Sequence, residues 1–160
     1  MTTTAIYPGS FDPVTLGHED LIQRSLHLVD KVIVAVAVNA GKDPLFAVDE
    51  RVELLKTVVN GEPRIDVVTF DGLLADFAKA RGVRVVIRGL RAVSDFEYES
   101  QMALMNRQLY PELETVFLVP ALHLTYLSSS IVREIARLDG DVSGCVSPLV
   151  ENALKEKYGR

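Results

Sequence analysis

Between Tyr7 and His18 the chain reads Tyr-Pro-Gly-Ser-Phe-Asp-Pro-Val-Thr-Leu-Gly-His, residue types that suit anion binding. Gly9 and Gly17 permit close backbone approach and positive φ, while Pro8 and Pro13 stiffen the turn. A loop of this kind between a strand and a helix aims backbone N–H groups and a helix N-terminus at one point, where a phosphate is favoured. His18, in the first helical turn, is placed to donate to it. For a bare Gly-x-His the competing reading is a surface histidine in an ordinary connection. Twelve residues in the right place favour the anion site.

Further donors and cations follow later apolar runs. Lys42 lies in the turn-rich Asn39-Ala40-Gly41-Lys42-Asp43-Pro44, where a lysine is either merely solvated or bound to phosphate. Arg88 closes Val85-Val86-Ile87, a costly place for a guanidinium unless an anion meets it. Gly89 lets backbone approach a ligand, and Arg91 can grip phosphates in a fork. Asp95, Glu97 and Glu99 suit a helix N-terminus with or without a ligand nearby. Ser128-Ser129-Ser130 opens another helix. One of the three caps it, and together they set hydroxyls and N–H groups at a positive dipole end. Arg133 and Arg137 are phosphate contacts or surface charges. Leu74 is either helix packing or the wall of an apolar groove, which Leu73 and Phe77 would extend. His27 and His123 need no function, and Asp12 reads as a turn residue rather than a base.

These residues need a frame. Strand signals fall at Thr4–Tyr7, Lys31–Val38, Arg64–Phe70, Arg84–Arg88 and Thr115–Val119. Val32 to Val38 is apolar without alternation, as in a strand covered on both faces of a parallel sheet. Helical periodicity lies between: Ile22, Leu26 and Val29; then Val52, Leu55 and Val59 with Asp49 as N-cap; then Leu73 to Ala80. A fourth helix is expected from Asp95, with Met102, Met105 and Leu109 as core or subunit contact. A fifth follows the serines with Ile131, Ile135 and Leu138 on one face, and a last covers Pro148 to Tyr158. The alternation predicts a single-domain, Rossmann-like doubly wound α/β fold, about five parallel strands with helices on both faces. Ligands in such sheets bind beyond the carboxyl ends of the strands, where these motifs fall.

Composition bounds the class. A chain of 160 residues, 48% hydrophobic and 24% charged, is an ordinary globular domain. A net charge of −5 argues against a broad nucleic-acid footprint. With Cys145 alone no intrachain disulfide can form, and its expected role is that of a small buried hydrophobe. No leader pattern or membrane-length apolar run is present, so a cytoplasmic protein is expected.

Gly9-Ser10-Phe11-Asp12-Pro13-Val14-Thr15-Leu16-Gly17-His18 resembles the first signature of the nucleotidylyltransferases, (His/Thr)-x-Gly-His, and the Thr15 form resembles the bacterial phosphopantetheine adenylyltransferases. Lys42 before Phe46, Ile87 to Arg91 leading to Asp95–Glu99, and Ser128 to Arg133 agree in order and spacing. The resemblance implies transfer of the adenylyl group of ATP to 4′-phosphopantetheine, with Mg²⁺ held mainly by phosphates and water. It assigns transition-state stabilisation to His18 and contact with the acceptor to Ser10, Lys42, Leu74 and Arg88. To ATP it assigns Ser10, Phe11, His18, Gly89, Leu90, Arg91, Glu99, Leu124, Thr125, Tyr126, Leu127, Ser128, Ser129 and Ser130. It further implies a homohexamer and feedback by coenzyme A. Such a reaction needs positioning and charge neutralisation rather than a strong base, because the nucleophile is an ionised phosphate. The alternatives are a sibling transferase using nicotinamide mononucleotide or a cytidylyl donor, and a non-catalytic nucleotide sensor on the same fold.

Overall fold

An uninterrupted apolar strand needs cover on both faces, and β2 (Lys31–Ala37) has it. Its Val32, Val34 and Val36 join one buried cluster, while Ile33 and Ala35 join the other. β1 (Thr4–Gly9) divides in the same way, Ala5 and Tyr7 to the first cluster and Ile6 to the second. The computed structural model describes residues 1–160, the side chain of Ser94 excepted.

The remaining elements alternate as expected: α1 (Leu16–Ser25), α2 (Val48–Val59), β3 (Ile65–Phe70), α3 (Leu74–Ala80), β4 (Val85–Gly89), α4 (Val93–Leu109) and β5 (Glu114–Leu118). A short 3₁₀ turn (Leu122–Leu124) then leads into α5 (Ser129–Arg137) and α6 (Pro148–Lys157). The five strands are all parallel in the order β3-β2-β1-β4-β5. Buried residues of α1, α2, α5 and α6 pack in the first cluster, those of α3 and the end of α4 in the second. This is the doubly wound arrangement. The chain runs outward from β1 to β3, then returns to lay β4 on β1's other side. The resulting switch in strand order opens a crevice at the carboxyl ends of β1 and β4.

Local chemistry departs from the sequence expectations at several points. α1 stops at Ser25, so Leu26 is its C-cap and Val29 packs on the core from beyond the helix. The N-cap of α2 is Ala47; Asp49 sits inside the first turn, and Glu50 accepts the Ala47 N–H at 3.1 Å. α4 begins at Val93, two residues before Asp95. Met102, Met105 and Leu109 are exposed rather than core. On α5 the buried positions are Val132 and Ala136, while Ile131 and Leu138 face outward. Gly9 and Gly17 do not take positive φ; in that loop it is Phe11 that does, at 51°. Gly9 instead leaves room for a neighbour: a Cβ there would stand 3.0 Å from the Phe11 ring, tighter than an ordinary contact.

Candidate active site

Thr15 caps α1, its hydroxyl accepting the His18 N–H at 3.3 Å. In return the Thr15 backbone N–H donates to His18 Nδ1 at 2.9 Å. This reciprocal cap settles the tautomer. A nitrogen that accepts carries no proton, so the neutral ring bears its hydrogen on Nε2. Burial, then the charges of Arg91 and Arg88, lower the His18 pKa to about 4. His18 is thus a neutral hydrogen-bond donor throughout the physiological range. Edge-on contact with the Phe11 ring, 4.9 Å between centroids, fixes its plane.

The crevice holds a cleft of about 620 Å³, walled by the loops after β1 and β4, the 3₁₀ turn and the start of α5. Its lining includes Ser10, Phe11, His18, Arg88, Gly89, Arg91, Glu99, Leu124, Leu127, Ser128, Ser129 and Ser130. The structure therefore brings together most of the positions singled out by sequence. Lys42, Leu74, Leu90, Thr125 and Tyr126 are outside that wall. Lys42 projects from an exposed loop beside Ala40, which does line the cleft. Leu74 begins α3, packing against the second cluster, where Phe77 stacks on Phe70. Tyr98, Asp95 and Arg133 also line it; their types alone do not separate them from surface residues.

The anion that meets Arg88 is internal. Its Nε and Nη2 donate to both oxygens of Glu99 at 2.9 and 2.7 Å, and Nη1 donates to the Pro8 carbonyl at 3.2 Å. Burial opposes the Arg88 charge, but the Glu99 hydrogen bond and charge outweigh it and hold its pKa above the ordinary value. Arg91 pairs with Asp95 at 3.4 Å and also donates to the Leu127 carbonyl, tying the β4 loop to the segment before α5. Burial drives the Tyr7 phenol beneath them strongly upward in pKa, so it stays protonated.

On the far wall Ser128 caps α5, accepting the Ile131 N–H at 3.2 Å. Ser129 donates to the Pro13 carbonyl at 2.7 Å, and Arg133 donates to the Asp12 carbonyl at 2.6 Å. Arg137 pairs with Glu134 at 2.7 Å, away from the cleft. Asp12 is no base: its carboxylate accepts the backbone N–H groups of Leu45 and Phe46 at 2.9 and 2.8 Å.

Among the described residues no three His, Cys, Asp or Glu side chains converge as a metal cage. The carboxylates of the cleft are already engaged by Leu45 and Phe46, Arg91 and Arg88. A protein-held divalent cation therefore does not fit the donor set.

A parallel sheet with cations, a neutral donor and a helix N-terminus gathered at its switch point defines a nucleotide-handling α/β protein. The cytidylyltransferase-like family matches residues 6–135. The chain is 54% identical over 155 residues to the phosphopantetheine adenylyltransferase of Hahella chejuensis, covering 97% of this chain and 96% of that one. It is 57% identical over 153 residues to that of Azoarcus sp. (strain BH72), covering 96% and 94%. Among solved structures, a Plasmodium falciparum nicotinic acid mononucleotide adenylyltransferase complexed with NaAD superposes with a TM-score of 0.70 at 16% identity, covering 99% of this chain and 97% of that one. That last likeness is one of fold. The chain belongs to the phosphopantetheine adenylyltransferases within the cytidylyltransferase-like family.

Proposed function

We propose that the enzyme transfers the adenylyl group of ATP to 4′-phosphopantetheine, giving dephospho-coenzyme A and pyrophosphate. The observation that carries this reading is the convergence in one cleft of the His18 donor, Arg88, Arg91 and the serine-rich start of α5. The names borne by relatives at 54% and 57% identity agree with it.

In the proposed step an ionised oxygen of the acceptor phosphate attacks the α-phosphorus of ATP. The new P–O bond forms as the bond to the β-phosphate oxygen breaks, and its electron pair leaves with pyrophosphate. No proton need be removed from the nucleophile. Among the described residues the hydroxyl held against the imidazole is that of Thr15, at 3.2 Å, and it is buried and occupied by the cap, so it is no nucleophile. His18 Nε2–H donates to the α-phosphate oxygen on which charge gathers. Arg88 receives the acceptor phosphate, joined by Lys42 and the Ser10 hydroxyl. Phe11, Gly89, Leu90, Arg91, Glu99 and the segment Leu124–Ser130 hold ATP, with the N-terminal end of α5 toward the outer phosphates. Mg²⁺, which the resemblance implies, would come with the nucleotide and be held by phosphates and water rather than by the carboxylates of the cleft.

Pyrophosphate release followed with each acceptor tests the reading. Turnover is expected with 4′-phosphopantetheine and not with nicotinamide mononucleotide; equal or faster turnover of the latter refutes it. Coenzyme A, which contains the pantetheine arm and the adenosine of the product, should compete at the same cleft and raise KM for both substrates. Inhibition indifferent to both concentrations would place its site elsewhere.

The assembly is proposed to be a homohexamer with α4 at a contact between copies. Phe96, Met102, Leu104, Met105 and Leu109 are all exposed on α4, an unusual apolar density for a solvated helix. Met105→Glu should sediment as a smaller species than the unchanged protein. An unaltered sedimentation coefficient would remove this face from the assembly. No helix among the described residues is long and apolar enough to cross a membrane.

A further inference from the structure

Arg51 is the largest fully buried side chain of the molecule, 1% exposed, on the inward face of α2. All of its hydrogen-bond partners are uncharged carbonyls. Nε donates to Phe46 at 3.1 Å, Nη1 to Ser10 and Ala37 at 2.8 Å each, and Nη2 to Val38 at 3.2 Å. Burial pushes its pKa down, and the Asp12 charge opposes that shift. A guanidinium is an expensive way to fill a helix face, since an apolar side chain of similar volume would do so without desolvating a charge. What it adds is geometry, a planar fork that fixes several acceptors relative to one another.

Those acceptors belong to two loops. Ser10 lies in the loop after β1, and Ala37, Val38 and Phe46 bracket the loop after β2 that carries Lys42. The backbone between them is strained at one point, Phe11, whose φ of 51° is uncommon for a residue with a Cβ. Such a conformation persists only where its surroundings over-determine it. Arg51 grips the carbonyl before Phe11, and Arg133 grips the Asp12 carbonyl after it. In a trans peptide the C=O and the following N–H point in opposite directions. Holding the Ser10 carbonyl toward the buried guanidinium thus aims the Phe11 N–H the other way, on the side of the cleft that Ser10 and Phe11 line. That N–H has no partner among the described residues.

We propose that Arg51 is a positioning residue: one buried guanidinium sets the Ser10–Phe11 peptide and the Lys42 loop in register as a single two-loop phosphate cradle. The inference rests on the reading of those loops as substrate-binding. Arg51 does not touch substrate, and His18 is set by its own cap, so the expected signature is in binding. Arg51→Lys keeps the charge but loses the planar fork. KM for ATP and for 4′-phosphopantetheine should rise together by about tenfold, with kcat reduced by less than about threefold. Leu113→Ala, a core truncation at the opposite end of the sheet, is the control for lost stability and should leave both KM values unchanged. Unchanged KM values in folded Arg51→Lys overturn the proposal, as does an equal rise in Leu113→Ala. If Arg51→Lys does not fold, Arg51→Gln is measured in its place and should show the same joint rise. Failure of both to fold would make Arg51 a residue of the fold, which also overturns it. The unchanged enzyme is assayed alongside: absence of turnover there would count against the proposed reaction, not against Arg51.

Discussion

His18→Ala is expected to leave a folded protein that still binds ATP but turns over about 10²–10³-fold more slowly, the cost of losing one donor aimed at developing charge. The reason is the cap at the start of α1. Thr15 occupies Nδ1, so Nε2 is the only ring atom left to donate, and burial beside Arg91 and Arg88 keeps the ring neutral. A lowered pKa of about 4 means that the ring remains unprotonated as pH falls from 8 to 5. Ring-proton shifts of His18 in the ligand-free protein should therefore not titrate across that window, where an unperturbed histidine would be half-protonated near 6.5. Near-normal turnover in His18→Ala would remove it from the mechanism. A titration midpoint near 6.5 would mean that the ring does not stay neutral across this range.

Arg88→Ala is the other large effect, and it has two separable parts. Glu99 is only 9% exposed and loses its bidentate partner, so the fold should weaken. For a fully buried pair the loss is about 3–5 kcal/mol. Here about 2 kcal/mol is expected, because the Arg88 side chain keeps 33% of its exposure and solvent screens it. Acceptor binding should fall by about 10–100-fold, the range for one charged hydrogen-bonding contact, with ATP affected less. Calorimetry with each ligand alone reads the second part, and thermal unfolding reads the first. Adding Glu99→Gln to Arg88→Ala should return stability without returning acceptor affinity. Equal losses for both ligands would refute the division of labour between the two subsites.

The loop chemistry was legible because it is local. Thr15 and His18 are three residues apart, and a helix N-terminus brings that spacing face to face. Ser128 as a cap follows from the same geometry. Both faces of β2 were legible from an apolar run without alternation. On α5 periodicity held for Ile135, which packs against the core, but Ile131 and Leu138 are exposed and the buried pair is Val132 and Ala136, which fits helical spacing equally well. The glycines of the first loop were read for close backbone approach and positive φ; neither takes positive φ, and at Gly9 the close neighbour is the Phe11 ring. Arg51 carried no signal: an arginine on an amphipathic helix reads as solvated, and its partners come from distant loops. Glu99 read as a helix-dipole residue because its counter-ion lies on a strand eleven positions earlier.

The stitches that hold the first loop come from the far end of the chain. Ser129 reaches Pro13 across 116 positions, Arg133 reaches Asp12 across 121, and the Leu16 N–H donates to the Cys145 carbonyl at 2.8 Å. Contacts of such separation are entropically costly to close and form slowly. The motif is synthesised before these partners, and its loop acquires its final anchors only after residue 145 has been made. A nascent chain carries His18 early but cannot complete the cleft around it. Competence for ligand is thus a late event in the maturation of this molecule, coincident with the docking of its last third.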